Sequence, residues 1–461
     1  MVRSTGNTYN VSKEQNASGI GRRRFRPYPE YKDSGVEWLD QIPSHWNVKR
    51  LKFIASINDE VLAETTDPQY EMTYVDIGGV DQYQGIVNRE KYVFETAPSR
   101  ARRKVREGDV IISTVRTYLR AIAQIEAPES NLTVSTGFAV IRTGLIFSSR
   151  YAAYALRASY FIEKIVANSV GVSYPAIDAS KMSGFSASFP ELMEQEAIAA
   201  FLDRETAKID ALIEKKERLI ELLQEKRTAL ITQAVTKGLD PTVPMKDSGV
   251  EWLGKIPAHW GLKRLKRIVE FRGGGTPSKD NLDYWHGDIL WVSPKDMKMS
   301  VVIDTEDKIT PQAVRESATK LVPAGAVLLV VRSGILMHSI PVALSGRKLT
   351  LNQDLKALIP RSDLLPEYLF YLISGMQRKL LAEWKKEGAT VESLEIDLVA
   401  QTPIPLPEEC EQRSIAAFLD RESAKIDALM SKIREAITSL REYRTALISA
   451  AVTGKIDVRE G

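Results

Sequence analysis

The stretch "EQEAIAAFLDRETAKIDAL" runs from Glu194 to Leu212, and "EQRSIAAFLDRESAKIDAL" runs from Glu411 to Leu429. The two lie 217 residues apart (411 minus 194), and the likeness continues to "VTKGLD" ending at Asp240 and "VTGKID" ending at Asp457. Upstream, "KDSGVEWLDQIPSHW" (32–46) returns as "KDSGVEWLGKIPAHW" (246–260), an offset of 214 (246 minus 32). Nearly equal offsets mean that each half has one order: a lead-in segment, a long middle, then a long helix. The chain is a tandem duplication of a unit of about 215 residues, too long and too few for a solenoid.

The middles, roughly 55–190 and 269–407, share little sequence but one outline. "GDVIIST" (108–114) and "GAVLLVV" (325–331) are glycine-led apolar runs, each followed by an arginine, Arg116 or Arg332. Both read as strands. Residues 150–168 and 366–386 read as amphipathic helices. "GVSYPAI" (171–177) and "GATVESL" (388–394) again align at 217. The scaffold was kept and the surfaces changed, as two sites doing one job on two targets would require.

The ends of the long helices are legible. Pro190 and Pro407 suit the first turn. Glu191, Glu194 and Glu196, with Glu408, Glu409 and Glu411, put negative charge at the positive end of the dipole. Gly238 and Gly454 are C-terminal stops. A heptad is read through Ile209, Leu212, Lys216, Leu219, Leu223, Lys226 and Leu230. Its counterpart runs through Ile426, Leu429, Ile433, Ala436, Leu440, Tyr443 and Leu447, with Ile213 and Ile220 broadening the first stripe. The second copy is the natural partner for the first, as an antiparallel pair about a pseudo-twofold axis. From Gln195 to Thr236 such a helix is ~60 Å long.

The remaining composition excludes more than it assigns. Of 461 residues, 44% are hydrophobic and 27% charged, which allows packed cores. No apolar run approaches the length of a membrane span. Residues 1–30 read as a basic, mobile tail containing "GRRRFR" (21–26), not as a secretory signal. The single cysteine, Cys410, excludes a disulfide framework. The histidines, His45, His259, His286 and His338, lack ligand spacing; His45 and His259 are repeat copies, which points to structure. In the lead-in, Trp252, Trp260 and His259 read as anchors that lock each domain to its helix. Net charge is only +3, so contact with nucleic acid must come from local patches.

The repeated "IAAFLDRE-AKIDAL" with "RTALI--AVT", and the paired "SGVEWL--IP-HW", strongly resemble the specificity subunit of type I restriction-modification systems. "FRGGGTPSKDNLDYWHGDILWVSPKDM" (271–297) is similar to the opening of that family's target-recognition domain. The resemblance covers nearly everything after about residue 30. It implies an α+β chain: two mixed α/β target-recognition domains separated by two long antiparallel coiled-coil helices. The divisions are a tail (1–30), domain 1 with its lead-in (31–190), a spacer helix (191–240), domain 2 with its lead-in (241–407) and a second spacer helix (408–461).

The resemblance further implies that each domain reads one half of an asymmetric, bipartite sequence in double-stranded DNA. The helices set the spacing and bind two modification (methyltransferase) subunits; restriction subunits complete the complex. S-adenosylmethionine, ATP and Mg would belong to those partners, with no cofactor on this chain. The expected compartment is the cytoplasm. Catalytic motifs are absent from the sequence: there is no Walker loop in "FRGGGTPSK", no H-E-x-x-H and no N/D-P-P-Y/F. A coiled-coil scaffold that binds only proteins is the alternative reading.

DNA contact in the first middle is expected from Arg100, Arg102, Arg103, Lys104 and Arg106, before the strand, and from Arg116, Tyr118 and Arg120 after it. In the second it is expected from Lys279, Tyr284, Lys295 and Lys298, around a tight turn at Gly273–Gly275, and from Arg332, Asn352 and Gln353. Trp285 reads as core.

Overall fold

The computed structural model describes residues 25–386 and 391–459. Two helices dominate it, Leu192–Lys237 (46 residues) and Glu409–Val452 (44 residues). The chain divides into two compact units whose limits fall inside these helices. One comprises the chain up to Glu214 with everything from Ala436 onward; the other is Lys215–Glu435. Each unit thus holds one middle, the first part of the helix that follows it, and the last part of the other helix.

In the first unit, an antiparallel sheet runs in the order Ile122–Gln124, Val110–Ser113, Phe138–Thr143, Ala55–Ile57. A second sheet, Glu90–Val93, Glu71–Val75, Leu132–Ser135, Ala101–Lys104, contains one parallel pair in its centre. The central strands Val110–Ser113 and Leu132–Ser135 are buried along their whole length. Both faces are covered, so neither strand shows the alternation of a half-solvated strand.

The second unit repeats this order with different residues. Its larger sheet runs Val269–Gly273, Leu355–Pro360, Val327–Val330, Val342–Ser345, with Val301–Val302 added in parallel. Its smaller sheet sets Trp285–Val292 between Asp307–Ile309 and a parallel Thr350–Leu351. The two predicted amphipathic helices are each broken in two: Ser149–Ala155 with Ser159–Ala167, and Pro366–Gly375 with Gln377–Trp384. Both breaks let a short segment turn against the long helices.

The attachment to the long helices uses the same residues twice. Glu194 accepts from Trp46 Nε1 at 3.1 Å and meets His45 Nε2 at 2.9 Å; Glu411 does the same with Trp260 at 3.0 Å and His259 at 2.9 Å. Both indoles are buried, which bears out the reading of Trp260 and His259 as anchors. Beside each glutamate a fully buried glutamine spans three backbone groups. Gln195 accepts from Ser148 N and donates to Ile146 O and Pro190 O; Gln412 accepts from Leu365 N and donates to Asp363 O and Pro407 O. Pro190 and Pro407 therefore stand just outside the helices, not in their first turns, and their carbonyls are taken by these amides.

Two tyrosines in each middle complete the junction. Tyr151 hydroxyl donates to Ser188 O (3.0 Å) or Val452 O (3.1 Å), and Tyr368 to Pro405 O (3.1 Å) or Val235 O (3.2 Å), so each ties its middle to the end of the other long helix. Tyr154 and Tyr371 donate to Asp203 and Asp420, each at 2.6 Å. Burial pushes the Tyr154 hydroxyl up to about 12 and raises Tyr371 as well, so both remain donors at physiological pH.

The helices are antiparallel within each unit, as expected, but the heptad differs. The shielded positions are Ile209, Ile213, Lys216, Ile220, Leu223, Arg227 and Leu230 on one helix. On the other they are Ile426, Met430, Ile433, Ile437, Leu440, Arg444 and Leu447, residue for residue at 217. Leu212, Leu219, Leu429 and Tyr443 are 39–48% exposed, and Lys226 is exposed. The expected seam shares one column with the true one, Ile209, Lys216, Leu223 and Leu230 with Ile426, Ile433, Leu440 and Leu447; its other column, Leu212, Leu219 and Lys226 with Leu429, Ala436 and Tyr443, lies one residue off. Two arginines in the true second column explain why that column was missed. Arg444 pairs with Asp210 (Nε to Oδ1, 2.9 Å) in the first unit, and Arg227 with Asp427 (3.1 Å) in the second. The two residue numbers add to the same total in each pair, as one antiparallel register requires.

Gly238 and Gly454 end the helices at φ +75° and +69°. A Cβ at Gly454 would stand 2.2 Å from Pro43 Cδ, so the chain's far end closes on its first lead-in. The N-terminal reading needs correction for the same reason. Phe25 packs edge-on against Phe201, Arg26 bridges to Asp457, and Tyr28 is buried with its hydroxyl on Glu194. Residues 25–30 belong to the fold; residues 1–24 of the expected tail lie outside the described residues.

Replacing Gln195 with leucine leaves the Ser148 N–H and the Ile146 and Pro190 carbonyls without their amide partner. The expected cost is about 2–4 kcal/mol in the first unit's unfolding transition. Urea unfolding followed by hydrogen exchange should show amides of the first unit destabilised and those of the second unchanged; equal loss in both would contradict the local role.

Candidate nucleic-acid interface

The first basic cluster divides into two groups with different duties. Arg102, in the strand Ala101–Lys104, lies 4.4 Å over the Phe94 ring, and its Nε is 3.5 Å from Glu64. Arg106 is exposed and paired with Glu60, which also receives Arg142. Lys104 is half-buried, and its main-chain N–H donates to Glu60 O at 3.1 Å. These three belong to a carboxylate-rich edge, and Arg102 above all is held by the fold.

The other group gathers where two loops meet. Arg100 is exposed, and its carbonyl accepts from Thr136 N. Arg103 donates to Thr136 O at 3.4 Å, and Gly137 next to it accepts from Thr114 N. Thr114 directly follows the strand Val110–Ser113, and the chain beyond it carries Arg116, Tyr118 and Arg120, all exposed. Arg116 and Arg120 have φ of +51° and +50° on either side of a single turn, Thr117–Leu119. For arginine that left-handed backbone is strained, and strain of this kind persists where the surroundings over-determine a presenting loop. The geometry brings Arg100, Arg103, Arg116, Tyr118 and Arg120 to one region and gives Arg102 and Arg106 other partners.

In the second middle a cleft of about 580 Å³ is lined by Thr276, Lys279, Trp291, Lys295, Asn352 and Gln353, among others. Lys279 and Lys295 are exposed at its walls, with Lys295 reaching Glu306 at 3.6 Å. Asn352 is buried; its Nδ2 donates to Asp354 at 3.1 Å and its Oδ1 accepts from Asp354 N at 3.0 Å. Gln353 donates to the same carboxylate at 3.4 Å and accepts from the Thr276 hydroxyl. Asp354 thus fixes both amides, a role unread in "NQD". Arg332 extends into solvent with its Nε 3.9 Å from Asp354. Lys298 is exposed on the turn beyond Lys295. Tyr284 is tied by its hydroxyl to Glu316 at 2.9 Å and packs in a small cluster with Trp291 and Ile309. Trp285 is half-buried, 5.2 Å edge-on to Trp291, and belongs to the same cluster.

The glycines before this cleft are required for close approach, not for a turn. A Cβ at Gly274 would lie 1.9 Å from Asn352 O, and one at Gly275 3.0 Å from Ala318 C. Gly275 O accepts from buried Trp291 Nε1 and from Thr319, which pins the segment across the floor of the cleft.

Sequence reasoning also passed over the hairpin at 170–176. Val170 and Ala176 pair through two backbone hydrogen bonds of 2.8 and 3.0 Å, and Arg116 lies 4.8 Å over the Tyr174 ring. The alignment of "GVSYPAI" with "GATVESL" was the available signal; residues 388–390 of the latter lie outside the described residues.

Among known proteins, the family model for the type I restriction modification DNA specificity domain matches twice, at residues 43–222 and 257–439. A type I restriction enzyme EcoR124I/EcoR124II specificity subunit from Escherichia coli is 38% identical over 206 residues, 44% of this chain and 48% of that protein. The chain matches about half the length of that relative. A type I restriction enzyme MjaVIII specificity subunit from Methanocaldococcus jannaschii is 23% identical over 446 residues, 91% of this chain and 95% of that one. A solved chain from work on complex assembly and conformational transition of the type I R-M system superposes with a TM-score of 0.66 at 26% identity, covering 89% of this chain and 98% of its own. Two matched domains on a duplicated scaffold, with coverage of most of the chain, place this protein in the family of type I restriction-modification DNA specificity subunits.

Proposed function

We propose that the chain reads a bipartite, asymmetric sequence in double-stranded DNA, one half with each middle domain, and directs adenine methylation and restriction by partner subunits. The observation that carries this reading is the contrast between scaffold and surface. Glu194, Gln195, Tyr151 and Tyr154 recur as Glu411, Gln412, Tyr368 and Tyr371 with the same partners. The presented groups do not recur: arginine-bearing loops in one domain, a lysine-walled cleft with fixed amides in the other. Two unlike half-sites call for such a pair.

In this reading Arg100, Arg103, Arg116 and Arg120 meet phosphates, with one or two free to take guanine O6 and N7. Lys279, Lys295, Lys298 and Arg332 serve the second half-site. Exposed Gln353 presents an amide edge that Asp354 orients, and buried Asn352 fixes Asp354 in turn. The chain itself is non-catalytic. Two modification subunits bring S-adenosylmethionine and the methyl transfer, and restriction subunits bring ATP, Mg and cleavage. The complex acts in the cytoplasm; among the described residues no helix is long and apolar enough to cross a membrane.

Arg116→Ala should weaken specific binding about 5- to 10-fold and lower the salt slope of log K by about 1, because one phosphate contact is lost. Arg102→Ala should leave that slope unchanged and act on stability instead. Titrations of a specific duplex between 50 and 200 mM salt check both; equal effects of the two substitutions would count against the division of the cluster.

The paired helices act as the spacer. A matched insertion of seven residues in both helices keeps the seam in phase and adds ~10 Å, up to about three base pairs of preferred spacing. Selection from duplex pools with variable spacers measures this; an unchanged preference would remove the spacer role.

A further inference from the structure

The hairpin 170–176 has features that phosphate binding does not require. Its tip exposes apolar side chains where a solvated loop carries polar ones: Val170 is 78% exposed, Tyr174 64%, and Val172 fully. It is nonetheless a fixed element. Gly171 has φ +116°, and a Cβ there would stand 3.1 Å from Tyr174 O. Ile177 N donates to Thr114 O at 2.8 Å, and Ser169 Oγ bonds Thr117 Oγ1 at 2.9 Å, which ties the hairpin base to the loop of Arg116–Arg120.

The base of this element is also shared between domains whose surfaces otherwise differ. In the second unit, Leu394 N donates to Val331 O at 2.8 Å, and Arg332 bridges to Ser393. Those positions match Ile177, Thr114, Val115 and Ala176 at the offset of 217. Val391, at the place of Tyr174, is 44% exposed. The common base holds a loop against the end of the glycine-led strand in each domain, and the residues above it differ: Val172 and Tyr174 stand where the second copy has Ala389 and Val391.

We infer that the tip Gly171–Pro175 is an apolar wedge that enters the base stack of the DNA, with Val172 and Tyr174 against the bases. This rests on the DNA-reading role proposed above. Arginines on the adjoining loop favour a polyanion over an apolar protein surface, and apolar side chains flanked by such cations unstack base steps where they are inserted. Arg116 stacks on Tyr174 and stiffens it while keeping its charge beside the backbone. Its task is to open one step of the half-site read by the first domain.

The fluorescence measurement uses the full-length chain alone, and a second measurement co-expresses it with the modification subunits. The probes are duplexes bearing the target established by mapping adenine methylation, with 2-aminopurine placed in turn at each adenine of both half-sites. Wild type should raise the fluorescence severalfold at one step of the half-site read by the first domain. The V172S/Y174S double variant should lose that rise and bind about tenfold more weakly. Both residues are exposed, so its melting temperature should match wild type. Wild type that binds without any rise, or a variant that keeps it, overturns the wedge. So does a variant with intact DNA binding that fails to co-purify with the modification subunits, because the tip would then be a protein contact. Wild type that does not bind the duplex at all would instead refute the DNA-reading role, and the wedge with it.

Discussion

Everything that positions the two surfaces hangs on a glutamate and a glutamine at the start of each long helix. Glu194 and Glu411, in the first turn, hold the lead-in by an indole N–H and a histidine. Gln195 and Gln412 face inward and satisfy three backbone groups of the middle domain, where water does not reach. A buried amide with all its partners in place costs little. One that misses them leaves orphaned backbone groups, so the junction tolerates only one orientation of domain on helix. The same carboxylates, in the first turn, also place negative charge at the favourable end of the helix dipole.

From that junction the rest follows in order. Fixed starts set the phase of both helices, and phase decides which side chains meet in the seam. Arg444 with Asp210 and Arg227 with Asp427 then select one antiparallel register. Arg444 is mostly shielded while Asp210 is half exposed, so the pair adds little net stability. Its effect is on specificity: a shifted register would leave the arginine in an apolar seam without its carboxylate. The tyrosine pairs carry the same constraint into the middles, because Tyr151 and Tyr368 each read the end of the other helix.

Much of this was legible because the chain states it twice. The duplication, the helix ends at Gly238 and Gly454, the antiparallel pairing and the anchoring role of Trp260 all follow from repetition and elementary propensity. One column of the seam, Ile209, Lys216, Leu223 and Leu230 with their copies, was read correctly; the other slipped by one residue, because nothing in the sequence shows that Arg227 and Arg444 meet carboxylates inside the seam. The candidate site was less legible. A run such as "SRARRKVREGD" shows charge but not direction, and direction is set by whether Phe94, Glu64 or Thr136 lies beneath each side chain. Asn352 looked like an adenine reader; its amide is first an Asp354 ligand, visible only once the turn is folded. The folded residues 25–30 were missed because their partners, Glu194, Phe201 and Asp457, lie far along the chain.

The central claim is that one duplicated scaffold presents two different reading surfaces. It is tested most directly by mapping methylated adenines across a genome in cells expressing this chain with modification subunits. The account predicts one motif of two unlike half-sites separated by a fixed spacer of unspecified bases, with an adenine methylated in each half. A palindromic motif, a single continuous motif, or methylation that does not depend on this chain would contradict it.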